Sequence, residues 1–392
     1  MTHISERLSA LGESLTLAVD GKVQELTAQG KDIVNLSAGQ PDFNTPDFVC
    51  EAAVQAMKDG QTRYTPPGGT PALRAEGAKF FSEMWQVPAT AANTVVTCGA
   101  KHAIYDALFA LIEPGDEVII PVPYWVSYPE QVKLVGGVPK IVVPSQGLRV
   151  TPEDLEPHVS SRTKLLIFNS PSNPTGQVYA PNEVRALVAW CLKHNVMMLS
   201  DEIYNRLLFG SQTALSPASV SPEAAAKVIT INGVSKSHAM TGWRIGIMTG
   251  PEDMMKAITK FQGQTTGNPS SVSQAAALAA LQGPDEVVAE MCTAYERRRD
   301  FAVDRLNQIA GVSLEKPEGA FYAFPKIADA ASLGGSVALA AQLVEHGVAA
   351  VPGAGFGADD HIRISFALGD DRLAEGLDRL EKGLAHLKAA IA

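Results

Sequence analysis

Five short stretches of the chain carry side chains that could act together on one small molecule. They are Gly99-Ala100-Lys101, Tyr124-Trp125, Asn169 with Asn173-Pro174-Thr175-Gly176, Asp201 with Tyr204, and Ser235-Lys236. Each follows a short apolar run: Thr94–Thr97, Glu117–Ile120, Lys164–Phe168, Val196–Leu199 and Val228–Ile231. Runs of this length, bounded by turn residues, read as buried strands. In a parallel sheet, ligands collect at the carboxyl ends of the strands. Five strand ends would then bring together a backbone anion site, an aromatic plate, an amide, a carboxylate with a phenol, and a lysine.

Taken singly, each feature has an ordinary structural explanation. Gly-Ala-Lys at a helix start can be a turn with a solvated lysine, Trp125 can be core, Asp201 can cap a helix, and Lys236 can be a surface cation. Their joint placement on one rim is what points to chemistry. Backbone amides at a helix N-terminus suit a phosphate. An aromatic plate and a carboxylate suit a heterocycle with a protonated nitrogen, and a lysine on the same rim suits a carbonyl held as an imine. Pyridoxal 5′-phosphate has all three parts. The nucleotide patterns Gly-x-x-x-x-Gly-Lys-Ser/Thr and Gly-x-Gly-x-x-Gly are both absent from the expected strand-to-helix junctions.

The elements that must position these residues follow from the same pattern. A sixth apolar run lies at Ile245–Met248, and helical periodicity covers Ala103–Ile112 and Glu183–His194. Short buried runs alternating with helices predict an α/β fold with a mainly parallel sheet covered on both faces. The tail reads differently. A long amphipathic stretch at Asp285–Ile309 precedes Ala320–Phe324, a helix at Ser336–Glu345, a strand at Ile362–Phe366 and a last helix at Asp371–Lys388. Near the start, Ser14–Gln29 reads as a helix followed by an irregular Gly/Pro segment. The expected division is residues 1–46 as an N-terminal segment joining a small α+β domain, 47–288 as the large cofactor-binding domain, and 289–392 as the rest of the small one.

Bulk properties narrow the partners. A chain of 392 residues is long for a single core, and 46% hydrophobic with 19% charged residues is an ordinary globular balance. The formal net charge of -10 disfavours nucleic acid and anionic membrane surfaces, both of which would be approached against repulsion. Cys50, Cys98, Cys191 and Cys292 show no paired short spacing, so neither a zinc site nor a disulfide framework is expected. Glu6, Arg7 and Glu13 near the start, and the lack of an apolar run near 20 residues, predict no signal peptide and no membrane span. A cytoplasmic enzyme is the expectation.

The segment Ser235-Lys236-Ser237-His238-Ala239-Met240-Thr241-Gly242-Trp243-Arg244-Ile245-Gly246 resembles the cofactor-lysine segment of class I aminotransferases. Asn173-Pro174-Thr175-Gly176, Asp201-Glu202-Ile203-Tyr204, Ser37-Ala38-Gly39-Gln40-Pro41-Asp42-Phe43, Tyr64-Thr65-Pro66-Pro67-Gly68 and Arg363-Ile364-Ser365 are similar to further signatures of that family. Their order and spacing match over essentially the whole chain, nearest the bacterial aspartate aminotransferase branch. The resemblance implies a fold type I pyridoxal-phosphate enzyme: a large domain around a mainly parallel seven-stranded sheet, plus a smaller α+β domain from the chain ends. It also implies roles. Lys236 would hold the cofactor as a Schiff base and move the substrate proton. Asp201 would pair with the pyridine nitrogen, Tyr204 and Asn173 with the ring oxygen, and Trp125 would stack on the ring. Gly99, Ala100, Ser235 and Arg244 would hold the phosphate, with Lys101 nearby and Tyr64 reaching in from the second subunit of a homodimer. Arg363, with Gly39, would take the substrate α-carboxylate, and Lys101 would read the distal one.

The implied reaction moves an amino group between an L-amino acid, with L-aspartate first, and 2-oxoglutarate by a ping-pong cycle. Alternatives within the fold are an aminotransferase for aromatic or other neutral amino acids and a pyridoxal-phosphate lyase. A non-catalytic regulatory domain is disfavoured by the complete lysine–aspartate–arginine set. One departure bears on the substrate. Relatives often carry a Lys-Pro ahead of the Ser-x-Thr of this N-terminal segment, whereas this chain has Gly12-Glu13-Ser14-Leu15-Thr16-Leu17. A missing cation beside Glu13 weakens the case for aspartate and prephenate, while Leu15 and Leu17 point to apolar substrates. His102, at a position where glutamine is common, is expected on the helix surface.

Overall fold

A computed structural model of the chain describes residues 4–9, 11–12 and 15–391. Glu13 and Ser14 therefore lie outside the described residues, and with them the charge expected beside Leu15. Seven strands form the main sheet: β1 (Thr94–Thr97), β2 (Glu117–Pro121), β3 (Val138–Val142), β4 (Thr163–Asn169), β5 (Met197–Asp201), β6 (Val228–Gly233) and β7 (Gly246–Thr249). Their order is β1-β7-β6-β5-β4-β2-β3. All pairings are parallel except those of β7, which runs antiparallel to both β1 and β6. The carboxyl ends of the other six strands consequently share one edge.

The strands are buried on both faces because alternate residues feed different cores. Val95, Val118, Ile120, Leu165, Ile167, Leu199 and Ile231 enter one cluster, whereas Val96, Ile119, Leu166, Phe168 and Met198 enter the other. Strand β3 has no apolar run because it is the sheet edge, with Val138 and Ile141 partly in solvent and Pro139 and Lys140 between them. An edge strand tolerates both residue types. That is why periodicity reveals six strands and not seven.

The helices include α1 (Leu15–Ala28) and α2 (Ala100–Leu111), which line the site, and α3 (Pro181–His194), α4 (Glu286–Gln308) and α5 (Asp370–Ile391). Helix α3 shows how local sequence sets a boundary. Pro181 opens it, the Glu183 carboxylate accepts from the Ala180 amide at 2.7 Å, and Asn195 closes it in the left-handed conformation at φ 54°. Helix α2 begins after Gly99, whose φ of +91° no L side chain adopts readily.

The chain ends form a second unit. Strands β8 (Tyr322–Ala323), β9 (Val351–Pro352) and β10 (Ile362–Ser365) make a small antiparallel sheet in the order β8-β10-β9, and Val34–Asn35 pairs in parallel with Val348–Ala349. Leu306 of α4 and Leu377 and Leu380 of α5 bury against Phe321, Ile362 and Ile364. Residues Ile203, Tyr204, Leu207 and Phe209, which follow β5, are part of that same core. The two units are thus joined by apolar packing directly beside the end of β5. Among the described residues, no helix is long and apolar enough to cross a membrane, and all four cysteines are free thiols.

Candidate active site

The sheet register aligns the site. Asn169 and Asp201 are direct partners at the ends of β4 and β5, and Asp201 also pairs with Ile231, five residues before Lys236. Around this edge lies a cavity of about 520 Å³. Its walls include Gly39, Ala100, Lys101, Trp125, Asn173, Asp201, Tyr204, Ser235, Lys236, Arg244 and Arg363. Of the residues given a cofactor- or carboxylate-binding role from sequence, Gly99 and Tyr64 stand outside the lining. Gly99 lies directly behind it: a Cβ there would collide with the Arg244 guanidinium. Tyr64 is 98% exposed on the protein surface.

Asp201 is buried at the cavity floor. Its Oδ2 accepts from the Tyr128 hydroxyl at 2.7 Å and its Oδ1 from the Ile203 amide at 3.3 Å, while its own carbonyl accepts from Asn169 Nδ2 at 2.8 Å. Burial pushes the carboxyl pKa up; the Tyr128 and Ile203 hydrogen bonds and the Lys236 charge pull against that rise. Trp125 packs edge-to-face on Tyr128, with ring centroids 5.4 Å apart, and so fixes the phenol that serves Asp201.

Lys236 Nζ donates to the Gly39 carbonyl at 2.7 Å. Burial lowers its pKa to about 7, helped by the Arg363 and Arg244 charges and opposed by Asp201. A large fraction of this amine is therefore neutral near neutral pH, the state in which nitrogen can attack a carbonyl. Tyr204 lies beside it, with Lys236 Nζ 5.8 Å from the ring centroid.

Arg363 is only 2% exposed. Nη1 donates to Asn173 Oδ1 at 3.1 Å and Nη2 to the Ser37 carbonyl at 2.7 Å, while Nε has no partner. The guanidinium lies 4.5 Å from the Tyr322 ring centroid and 5.3 Å from that of Phe356. Among the described residues no carboxylate pairs with it. A buried cation without a counter-ion is costly unless a ligand supplies one. Arg244 donates to the Thr241 carbonyl at 3.0 Å and lies against Gly99, the residue that precedes α2, a helix start suited to an anion. Lys101 lies with Nζ 4.8 Å from the Trp125 ring centroid. Three cations (Lys101, Arg244, Arg363) and the partly protonated Lys236 thus face two carboxylates (Asp20, Asp201) inside a protein of net charge -10. The cavity is built for an anionic ligand.

Other lining residues were not evident from sequence. Tyr128 sits one helical turn beyond Trp125, and that spacing is the signal that would have found it. Tyr322 meets Tyr204 hydroxyl to hydroxyl at 2.9 Å. Thr16, Asp20 and Gln24 line the mouth from α1, and their spacing of four places them on one helix face. Leu15 and Leu17 do not line the cavity: Leu17 is 67% exposed, and Leu15 faces Gly355. The apolar wall expected from them is replaced by this polar stripe. His102 is also not a surface residue, because its Nε2 turns inward to within 3.3 Å of the fully buried Asp106.

The residues present fit pyridoxal 5′-phosphate by their chemistry: a buried lysine whose pKa is lowered to about 7, a buried carboxylate held by donors, and an arginine beside a helix start with a glycine that makes room for it. Comparison with known proteins agrees. Residues 31–380 match the model of the family described as aminotransferase class I and II. The chain is 47% identical to the aspartate aminotransferase of Geobacillus stearothermophilus, over 97% of this chain and 98% of that protein. It is 42% identical to a probable aspartate/prephenate aminotransferase of Aquifex aeolicus, over 98% and 99%. The solved structure of Thermus thermophilus aspartate aminotransferase with maleate superposes with a TM-score of 0.93 at 40% identity, covering 98% of this chain and all of that one. The chain belongs to the class I and II aminotransferases and is a pyridoxal-phosphate-dependent enzyme.

Proposed function

We propose that the enzyme transfers the amino group of L-aspartate to 2-oxoglutarate in two half-reactions. The observation that carries this reading is the pair of cations at different points of one cavity: Arg363, buried without a counter-ion, and Lys101 over Trp125. A dicarboxylate has one carboxylate for each. The names of the relatives above support the same substrate.

When bound, the cofactor supplies the carbonyl carbon that takes up the amino group and a ring that withdraws electrons from the substrate α-carbon. The protein's own groups do the rest. Lys236 would be the amine that holds the cofactor, and its nitrogen is the base placed to carry the proton to and from the substrate α-carbon. Asp201 holds the proton on the ring nitrogen, kept in place by Tyr128. Asn173 and Tyr204 donate to the ring oxygen, and Trp125 covers one ring face. Gly99, Ala100, Ser235 and Arg244 hold the phosphate, with Lys101 adding positive charge. Arg363 takes the α-carboxylate in a fork, helped by Gly39. We also propose the division at residues 46 and 288, a cytoplasmic location, and a homodimer in which the exposed Tyr64 of one subunit completes the phosphate site of the other.

A second reading, preference for a neutral or aromatic amino acid, draws on Asp20 in the cavity wall and on the lack of a cation among Thr16, Asp20 and Gln24. The deciding experiment is a visible absorption titration of the holoenzyme with L-aspartate, then 2-oxoglutarate. Loss of the cofactor band with aspartate and its return with the keto acid support the first reading. A band that ignores aspartate but responds to phenylalanine or alanine favours the second.

A further inference from the structure

We propose that Tyr322 is a positioning residue that directs the hydroxyl proton of Tyr204 into the cavity while carrying Arg363 on its ring face. The inference rests on the reading in which Tyr204 faces the bound cofactor. Tyr322 lies on β8 and pairs with Ser365 of β10. Arg363 is two residues from Ser365, so its side chain and that of Tyr322 leave the small sheet on one face as a diagonal pair. The result is the 4.5 Å approach of guanidinium to ring. The same phenol reaches across to the large unit, where its hydroxyl lies 2.9 Å from that of Tyr204. Tyr322 is 1% exposed, and its hydroxyl stands against the backbone at Gly39, where an added Cβ would be 3.7 Å away.

Two phenol hydroxyls at this distance form one hydrogen bond, so only one of their two protons lies between them. Burial raises both pKa values. In both phenols the Arg363 charge is the main influence opposing that rise, and for Tyr204 the neighbouring Tyr322 hydroxyl adds to the rise. The Arg363 guanidinium on the ring face of Tyr322, 4.5 Å from its centroid, favours this phenol as the donor, and a Tyr204 hydroxyl that donates to the cofactor as proposed above is then the acceptor. The Tyr204 proton is then free to point at an acceptor in the cavity. If the direction were reversed, that proton would be spent on Tyr322. One residue thus connects the carboxylate-binding arginine to the phenol beside Lys236.

The test combines two readouts other than turnover. The first is the pH midpoint of the visible cofactor band in holoenzyme carrying Tyr322→Phe, Tyr204→Phe or both. The second is succinate affinity of the apoenzyme, measured by calorimetry. Removing only the hydroxyl should raise the midpoint, through about a threefold to tenfold gain in proton affinity. It should add nothing further in the Tyr204→Phe background, as expected of two residues in series. Succinate affinity should stay within about twofold in Tyr322→Phe and weaken about threefold to thirtyfold in Tyr322→Leu, which removes the ring. An unchanged midpoint in Tyr322→Phe, or additive shifts in the double variant, overturns the inference while leaving the cofactor reading intact. A wild-type protein without any visible band after loading overturns both.

Discussion

The Tyr128 hydroxyl donates a 2.7 Å hydrogen bond to Oδ2 of Asp201, joining a helix beyond β2 to the end of β5 at the floor of the cavity. Burial alone would favour a neutral Asp201, which could not hold a proton on a ring nitrogen; the phenol works against that. Tyr128→Phe should therefore raise the Asp201 pKa further and weaken cofactor retention and turnover by about tenfold to a hundredfold, the range for a hydrogen bond to a charged group. The acid limb of the activity profile should move to higher pH. Equilibrium dialysis of the cofactor and a pH–rate profile check this; retention equal to wild type would remove Tyr128 from the site.

Lys236 makes a pH prediction whose sign is fixed by burial. Its folded-state pKa of about 7 lies below the ordinary lysine value of 10.5. Capture of pyridoxal phosphate by the apoenzyme should therefore accelerate as pH rises through about 7 and level off above it. Between 7 and 10.5 the unfolded chain binds the proton more tightly, so apoenzyme stability from this group should also increase with pH across that window. Arg363→Gln removes a charge that lowers this pKa, so the capture midpoint should shift upward. Stopped-flow absorbance at several pH values measures both, and a midpoint near 10 in wild type would contradict the burial argument. Lys236→Ala should cut turnover by at least about a hundredfold to ten-thousandfold while the chain stays folded.

Most of the site was legible in the sequence because strand ends are legible. Buried runs announce themselves, and residues following them must meet at one edge if the strands are parallel. Strand β7 runs the other way, yet it does not disturb the convergence, because β1 beyond it points back with the rest. The edge strand β3 left no periodic signal. Tyr322 was hidden for a different reason: a tyrosine between Phe321 and Ala323 reads as core, and only the pairing with Ser365 reveals what it faces. The expectation for Leu15 and Leu17 failed on phase. Helix α1 repeats about every four residues and presents Thr16, Asp20 and Gln24 to the cavity, so Leu15 and Leu17 fall on either side of that stripe.

That phase yields a specificity prediction. Asp20 is the carboxylate at the cavity mouth, tied to Ser37 Oγ at 2.6 Å, and Ser37 in turn accepts from Arg363 through its carbonyl. Its charge should repel the second carboxylate of a dicarboxylic substrate. Asp20→Asn should raise kcat/KM for aspartate relative to alanine by about twofold to fivefold, the size of a partly screened charge interaction. Steady-state kinetics with both substrates decide it. A change of equal size for the two would mean that Asp20 acts only through Ser37.

Lys101 should behave in the opposite sense. With Nζ over Trp125 it is the cation left for a distal carboxylate once Arg363 is occupied. Lys101→Ser should lower kcat/KM for aspartate by about tenfold to a hundredfold and spare neutral amino acids. If both fall together, Lys101 serves the phosphate instead.

Gly99 offers the cleanest separation of cofactor binding from catalysis. Its φ of +91° is open to glycine, and a Cβ would strike the Arg244 guanidinium, itself anchored on the Thr241 carbonyl. Gly99→Ala therefore strains the start of α2 and displaces the arginine without touching Lys236, Asp201 or Arg363. Cofactor affinity should fall by at least about tenfold, given the loss of a charge-assisted contact. Thermal stability should drop more in the presence of cofactor than in its absence, because the variant loses ligand stabilisation as well as backbone ease. At saturating cofactor the KM for the amino acid should return close to wild type. An undiminished cofactor affinity would show that the phosphate is held elsewhere than at Arg244 and the first turn of α2.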